Sequence, residues 1–137
     1  MDPDFGTLYK THSSGSEVFI WYGRNVSHGT HARVTIKLFA SSTGPTDEHR
    51  SRLKRFWHYY PRCESHAVQL IWDDLQGTAD DEESVSSMLD VKTKLHLSLV
   101  VLEQDKTITY IYDYGSDSVA FTFEGEAPLD HFEIVGD

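Results

Sequence analysis

The first third of the chain alternates. Residues 5–11 (FGTLYKT) and 17–22 (EVFIWY) are short β-rich runs separated by the turn-forming Ser13-Ser14-Gly15-Ser16. In the run at 32–39, Val34, Ile36 and Leu38 point one way and Arg33, Thr35 and Lys37 the other. A period of two carried by β-branched residues marks a half-buried strand. These three runs predict an antiparallel meander.

The pattern then changes period. Leu53, Phe56, Trp57 and Tyr60 fall at i, i+3, i+4 and i+7, one face of a helix. Thr46 offers an N-cap, with Asp47 and Glu48 in the first turn, where the helix dipole favours negative charge. Pro61 lacks an amide hydrogen and disfavours helix for Tyr60, so a break or kink is expected there. A second helix then carries Cys63, Ala67, Leu70 and Ile71 on one face, and Gly77 ends it. The acidic stretch from Thr78 to Ser87 is read as a loop or a short helix capped by Asp80.

Alternation resumes at 94–103, where Leu95, Leu97, Leu99 and Val101 are expected on one face. Compact turns lead to strands at 107–114, 119–123 and 131–135. The whole chain, 1–137, is thus expected to be one α+β domain. Its antiparallel sheet has six or seven strands, with a kinked helical pair (46–60 and 61–76) on one face. The expected order is β-β-β-α-α-(short α)-β-β-β-β.

Composition narrows the class. With 39% apolar and 12% aromatic residues, the chain can bury an ordinary core. A lone cysteine, Cys63, forms no internal disulfide, which favours a reducing compartment. The acidic N-terminus does not read as a secretory signal, and no apolar run approaches the roughly 20 residues that span a bilayer. The expected setting is cytoplasmic.

Charge divides the chain. Met1–Trp72 holds nine Lys+Arg and six Asp+Glu, a net of +3; Asp73–Asp137 holds three and sixteen, a net of −13. The total of −10 disfavours nucleic-acid phosphate and anionic membranes, and favours basic partners or simple solubility. The basic run Arg50, Arg52, Lys54, Arg55 and Arg62 reads as the polar side of an amphipathic helix. Its arginines can meet the acidic half of the same chain or of a second copy, which leaves a homodimer open.

Candidate chemistry is sparse. Eight histidines include His28-x-x-His31, and Cys63-x-x-His66 shares a helical face, but neither pair has a matching second half for zinc, and no HExxH motif occurs. No cofactor or metal is expected. Cys63 with His58 or His66 could form a nucleophile and base, although a cysteine on an apolar helix face is ordinarily buried and inert. Asp73, Asp74, Asp80, Asp81, Glu82 and Glu83 form an acidic patch suited to a protein partner. Tyr110 and Tyr112 would anchor such an interface.

The opening Phe5-Gly6-Thr7-Leu8, then Trp21-Tyr22-Gly23, then Val34-Thr35-Ile36-Lys37-Leu38 ahead of the helical block, resembles a loose group of small bacterial domains. They begin with FGxL, a WxG-like strand and an alternating strand. Some members are thought to act as immunity proteins beside polymorphic toxins. The resemblance implies a non-catalytic inhibitor that neutralises a basic toxin or effector. Two alternatives come from other classes. One is an acidic mimic of nucleic acid that occupies a DNA-binding enzyme. The other is a small metal-dependent or cysteine hydrolase using His58, Cys63 and His66.

Overall fold

The computed structural model describes residues 2–11, 17–28, 31–77, 88–115, 117–124 and 127–135. It is α+β. Strands β1 (Thr7–Lys10), β2 (Phe19–His28) and β3 (His31–Ala40) precede helices α1 (Asp47–Gly77) and α2 (Met88–Lys94). Strands β4 (Leu95–Leu102), β5 (Thr107–Tyr114), β6 (Asp117–Glu124) and β7 (Ala127–Val135) follow. All seven form one sheet in sequence order.

The sheet departs from purely antiparallel at one pair. β3 and β4 run parallel, with Thr35 opposite Leu99 and Leu38 opposite Leu102. The reason is topological: parallel neighbours need a long crossover, and the two helices supply it.

Pro61 does not divide the helical block. α1 is one helix of 31 residues, so the expected pair is fused; a short helix, α2, precedes β4, and the expected Asp80 cap lies outside the described residues. Pro61 is exposed, while Leu53, Phe56, Tyr60, Cys63, Ala67 and Ile71 form one unbroken buried stripe on both sides of it. A helix-interior proline costs about 3 kcal/mol. Burying each large apolar side chain of the stripe returns about 1.5–3 kcal/mol, so continuity wins. The helix start follows the expected cap in a variant form: the His49 backbone N–H donates to Thr46 Oγ1 (3.4 Å), and the Thr46 N–H donates back to His49 Nδ1 (2.9 Å).

The core lies between α1 and one face of the sheet, with Val34, Ile36 and Leu38 from β3 meeting Tyr110 and Tyr112 from β5 and Phe121 from β6. On β4 the expected face changes midway. The register slips between Leu97 and Leu99, so Leu95 and Leu97 face the helix, then Val100 and Leu102 do, while Leu99 and Val101 turn outward. A β-bulge shifts the side-chain phase by one residue, which a strict period of two does not foresee.

The N-terminal segment is tied under the sheet. Asp2 Oδ1 accepts from the Asp4 and Phe5 amides (2.8 and 3.0 Å), and both Asp2 oxygens accept from the Arg50 guanidinium (2.8 and 2.7 Å). Asp4 Oδ2 takes a further Arg50 bond at 2.8 Å. The bidentate pair holds the Asp2 carboxyl well below the usual carboxylate range. It also seats Phe5 in the core, fully buried. A Cβ on Gly23 would stand 2.1 Å from the Phe5 carbonyl oxygen, so only glycine allows that approach. The glycines of the FGxL and WxG-like motifs therefore serve packing. The two arginines part company: Arg50 binds Asp2 and Asp4, while Arg52 reaches the acidic half of the chain, where it donates to the Asp105 and Thr107 carbonyls and its charge acts on the Asp105 carboxylate.

Candidate functional site

The most developed polar constellation joins α1, β3, β4 and β5. Tyr60 and Glu64 stand at i and i+4 on α1, the spacing that places two side chains over one another. β3 brings in His31 at its first residue, and β5 brings Tyr112 from the sheet.

The hydrogen bonds set the ring's tautomer. The Leu97 backbone N–H donates to His31 Nδ1 at 3.4 Å, so Nδ1 is an acceptor. The proton therefore sits on Nε2, which donates to Glu64 Oε2 at 2.6 Å. The Tyr60 hydroxyl donates to the same oxygen at 3.3 Å, accepts from the Tyr112 hydroxyl at 2.7 Å, and takes a share of the His31 Nε2–H at 3.1 Å. Every member thus has a consistent role: Tyr112 gives to Tyr60, and Tyr60 and His31 give to Glu64. The contact between His31 and Glu64 is then an imidazole N–H donating to a carboxylate. That hydrogen bond is the main reason the Glu64 carboxyl lies below its ordinary value. Burial pushes the hydroxyls of Tyr60 and Tyr112 upward, so both stay protonated donors.

A cleft of about 420 Å³ opens beside this chain, lined by His31, Glu64, Leu89, Lys92, Leu95 and His96 among others. Lys92 Nζ stands 3.7 Å from Glu64 Oε1 and is 60% exposed, which makes it a weak surface pair. His31 is only 8% exposed and both of its ring nitrogens are engaged. It thus offers no free nitrogen for proton transfer or metal binding. The atom the network leaves toward the cleft is Glu64 Oε1. The chain orients and seals this corner of the core more than it presents reactive groups.

The residues expected from sequence are dispersed. Asp73 and Asp74 are exposed in the last turns of α1, and Gln69 Nε2 donates to Asp73 Oδ1 at 2.8 Å. Asp80, Asp81, Glu82 and Glu83 lie outside the described residues. Tyr110 and Tyr112 are fully buried, which corrects their reading as surface anchors: the stripe they form on β5 faces α1. Cys63 is also fully buried, and burial pushes its thiol up to about 11. Its polar neighbour is the Tyr110 hydroxyl rather than an imidazole. His58 is exposed, and His66 Nε2 donates to the Leu129 carbonyl at 3.2 Å, so the three are not assembled as nucleophile and base. Among the described residues, no three His, Cys, Asp or Glu side chains converge to hold a metal ion. No helix among them is long and apolar enough to cross a membrane.

Sequence reasoning missed His31 and Glu64 as partners. The one available signal was Glu64 set beside the apolar stripe of α1, four residues after Tyr60. No protein-family model, curated protein or solved structure matches this chain, so its chemistry rests on its own residues.

Proposed function

We propose that the domain is a non-catalytic binding protein whose acidic pole at the C-terminal end of α1 engages a basic protein partner, in the manner of an immunity-type inhibitor. One observation carries this reading. Asp73 and Asp74 are exposed where the helix already presents its negative end, and the last turn holds no basic residue. Negative charge near a helix C-terminus opposes the macrodipole at about 0.3–1 kcal/mol per group, whereas the first turn of the same helix carries the favourable Asp47 and Glu48. Carboxylates kept at an unfavourable place suit an attractive role toward a cation. Asp80 to Glu83 continue the acidic run in sequence, and the net of −13 after Trp72 supplies the long-range field. Such charge accelerates encounter and selects the partner, while a few desolvated contacts set affinity.

The test is affinity capture from host extract, followed by titration calorimetry and stopped-flow association with the captured protein. The expected partner is a basic polypeptide whose association slows at least tenfold for the Asp73→Lys/Asp74→Lys variant and weakens with salt. An association rate indifferent to that reversal and to ionic strength would overturn the reading.

A further inference from the structure

The sheet face away from α1 carries, from β2 to β7, a row of six side chains that is complementary to itself under a two-fold rotation. Register places Thr35 opposite Leu99, Leu99 opposite Ile111, Ile111 opposite Ala120, and Ala120 opposite Glu133. Arg24 on β2 lies at the same level, between the pairs Gly23–Ile36 and Val26–Val34. From β2 to β7 the row is therefore Arg24, Thr35, Leu99, Ile111, Ala120, Glu133, and Thr7 of β1 stands beyond Arg24 at the sheet edge. Both charged ends are exposed and the four middle residues are half-buried. Among the described residues, the helices pack against the other face, and no element covers this one.

We infer that this face is the interface of a homodimer, with the two-fold axis parallel to the strands and passing between β4 and β5. That rotation sets β4 of one copy over β5 of the other, so Leu99 meets Ile111, Thr35 meets Ala120, and Arg24 meets Glu133, each pair occurring twice. An isologous interface demands this self-complementarity, positive end to negative end about an apolar centre. An unrelated partner would require no such match within one surface. Stacked sheets lie about 10 Å apart and rotate by about 30°, and the long Arg24 and Glu133 side chains can follow that rotation. The area suffices. The six strands that overlap, β2 to β7, about 4.8 Å apart and about 26 Å long, offer roughly 620 Å² per copy, at the lower end of the roughly 600–1,000 Å² per partner of a specific interface. The acidic end of α1 stays free on the opposite side, so this dimer is independent of partner binding there.

Sedimentation equilibrium on the full chain tests the geometry. The wild-type protein should form a dimer at micromolar concentration. Arg24→Glu and Glu133→Arg should each weaken it at least tenfold, by placing like charges together at both ends. Mixing the two variants should restore association as a heterodimer, because each end of the interface then pairs a carboxylate with a guanidinium again. Ala120→Arg, a change on the outward face, should give a monomer with unchanged circular dichroism, and it decides the matter if either charge variant fails to fold. A wild-type chain that stays monomeric up to about 100 µM would overturn the proposal. So would single variants that dimerise as well as wild type.

Discussion

Two neighbouring tyrosines on β5 should respond oppositely to the same substitution. Tyr110 and Tyr112 are both fully buried, and both point at α1. The Tyr112 hydroxyl donates to Tyr60 at 2.7 Å, within the chain that ends on Glu64. Among the described residues, the Tyr110 hydroxyl has no hydrogen-bond partner in oxygen or nitrogen; its polar neighbour is the Cys63 thiol, a weak acceptor. A buried polar group left unsatisfied costs about 1–3 kcal/mol, so Tyr110→Phe removes a penalty and loses only a weak sulfur contact. The expected gain is about 1 kcal/mol. Tyr112→Phe instead strips Tyr60 of its nearer donor and should cost about 1–2 kcal/mol. For 137 residues, an unfolding entropy near 2.1 cal/mol/K per residue converts 1 kcal/mol into roughly 3.5 °C. Scanning calorimetry with urea unfolding should show Tm rising by about that amount for Tyr110→Phe and falling by about 3–7 °C for Tyr112→Phe. Equal destabilisation by both would refute the reasoning, because it would mean that both hydroxyls are satisfied alike.

The glycine at the WxG-like motif offers a second check: Gly23→Ala should destabilise by more than about 3 kcal/mol, since its methyl would collide with the Phe5 carbonyl rather than a yielding side chain, and denaturant midpoints measure this directly. Acid should loosen the fold through two depressed carboxyls. Glu64 and Asp2 titrate below their ordinary values of 4.5 and 3.8, so their stabilisation is complete above those values and is lost as pH falls through the lower folded ones. Unfolding free energy should hold level above about pH 5 and decline below about pH 4, and Glu64→Gln should flatten part of that decline.

Much of the scaffold is readable in the residues because the signals are local. Alternation over 32–39 and 107–114 and the 3.6-residue spacing from Leu53 onward need no tertiary knowledge. Pro61 misleads for the same reason: its local rule is sound, but the stripe that overrides it draws its energy from the sheet. The inward turn of Tyr110 and Tyr112 agrees with the alternation that sets them with Ile108 against Thr109 and Asp113; it is their polar hydroxyls that make them resemble surface anchors, and the buried partner of the Tyr112 hydroxyl, Tyr60, comes from α1. His31 and Glu64 are separated by 33 positions and are joined only by the packing of β3 beneath α1, so no spacing rule pairs them. The slip at Ser98 likewise belongs to the pairing of β4 with β5.

The parallel seam between β3 and β4 governs the order in which the sheet can assemble. β1–β3 and β4–β7 are each chains of adjacent antiparallel pairs that close through short connections, such as the four residues 103–106. The seam must close across residues 41–94, fifty-four positions. By loop entropy alone that is about 2.3 kcal/mol costlier than a four-residue turn. Two meanders therefore form first, and the seam joins them afterwards. Until it does, β4, whose sequence LHLSLVVL is the most aliphatic in the sheet, is an open edge. Its unpaired backbone is then a template for a second chain. The central position that β4 holds in the finished sheet is also its protection from aggregation, and that protection arrives late.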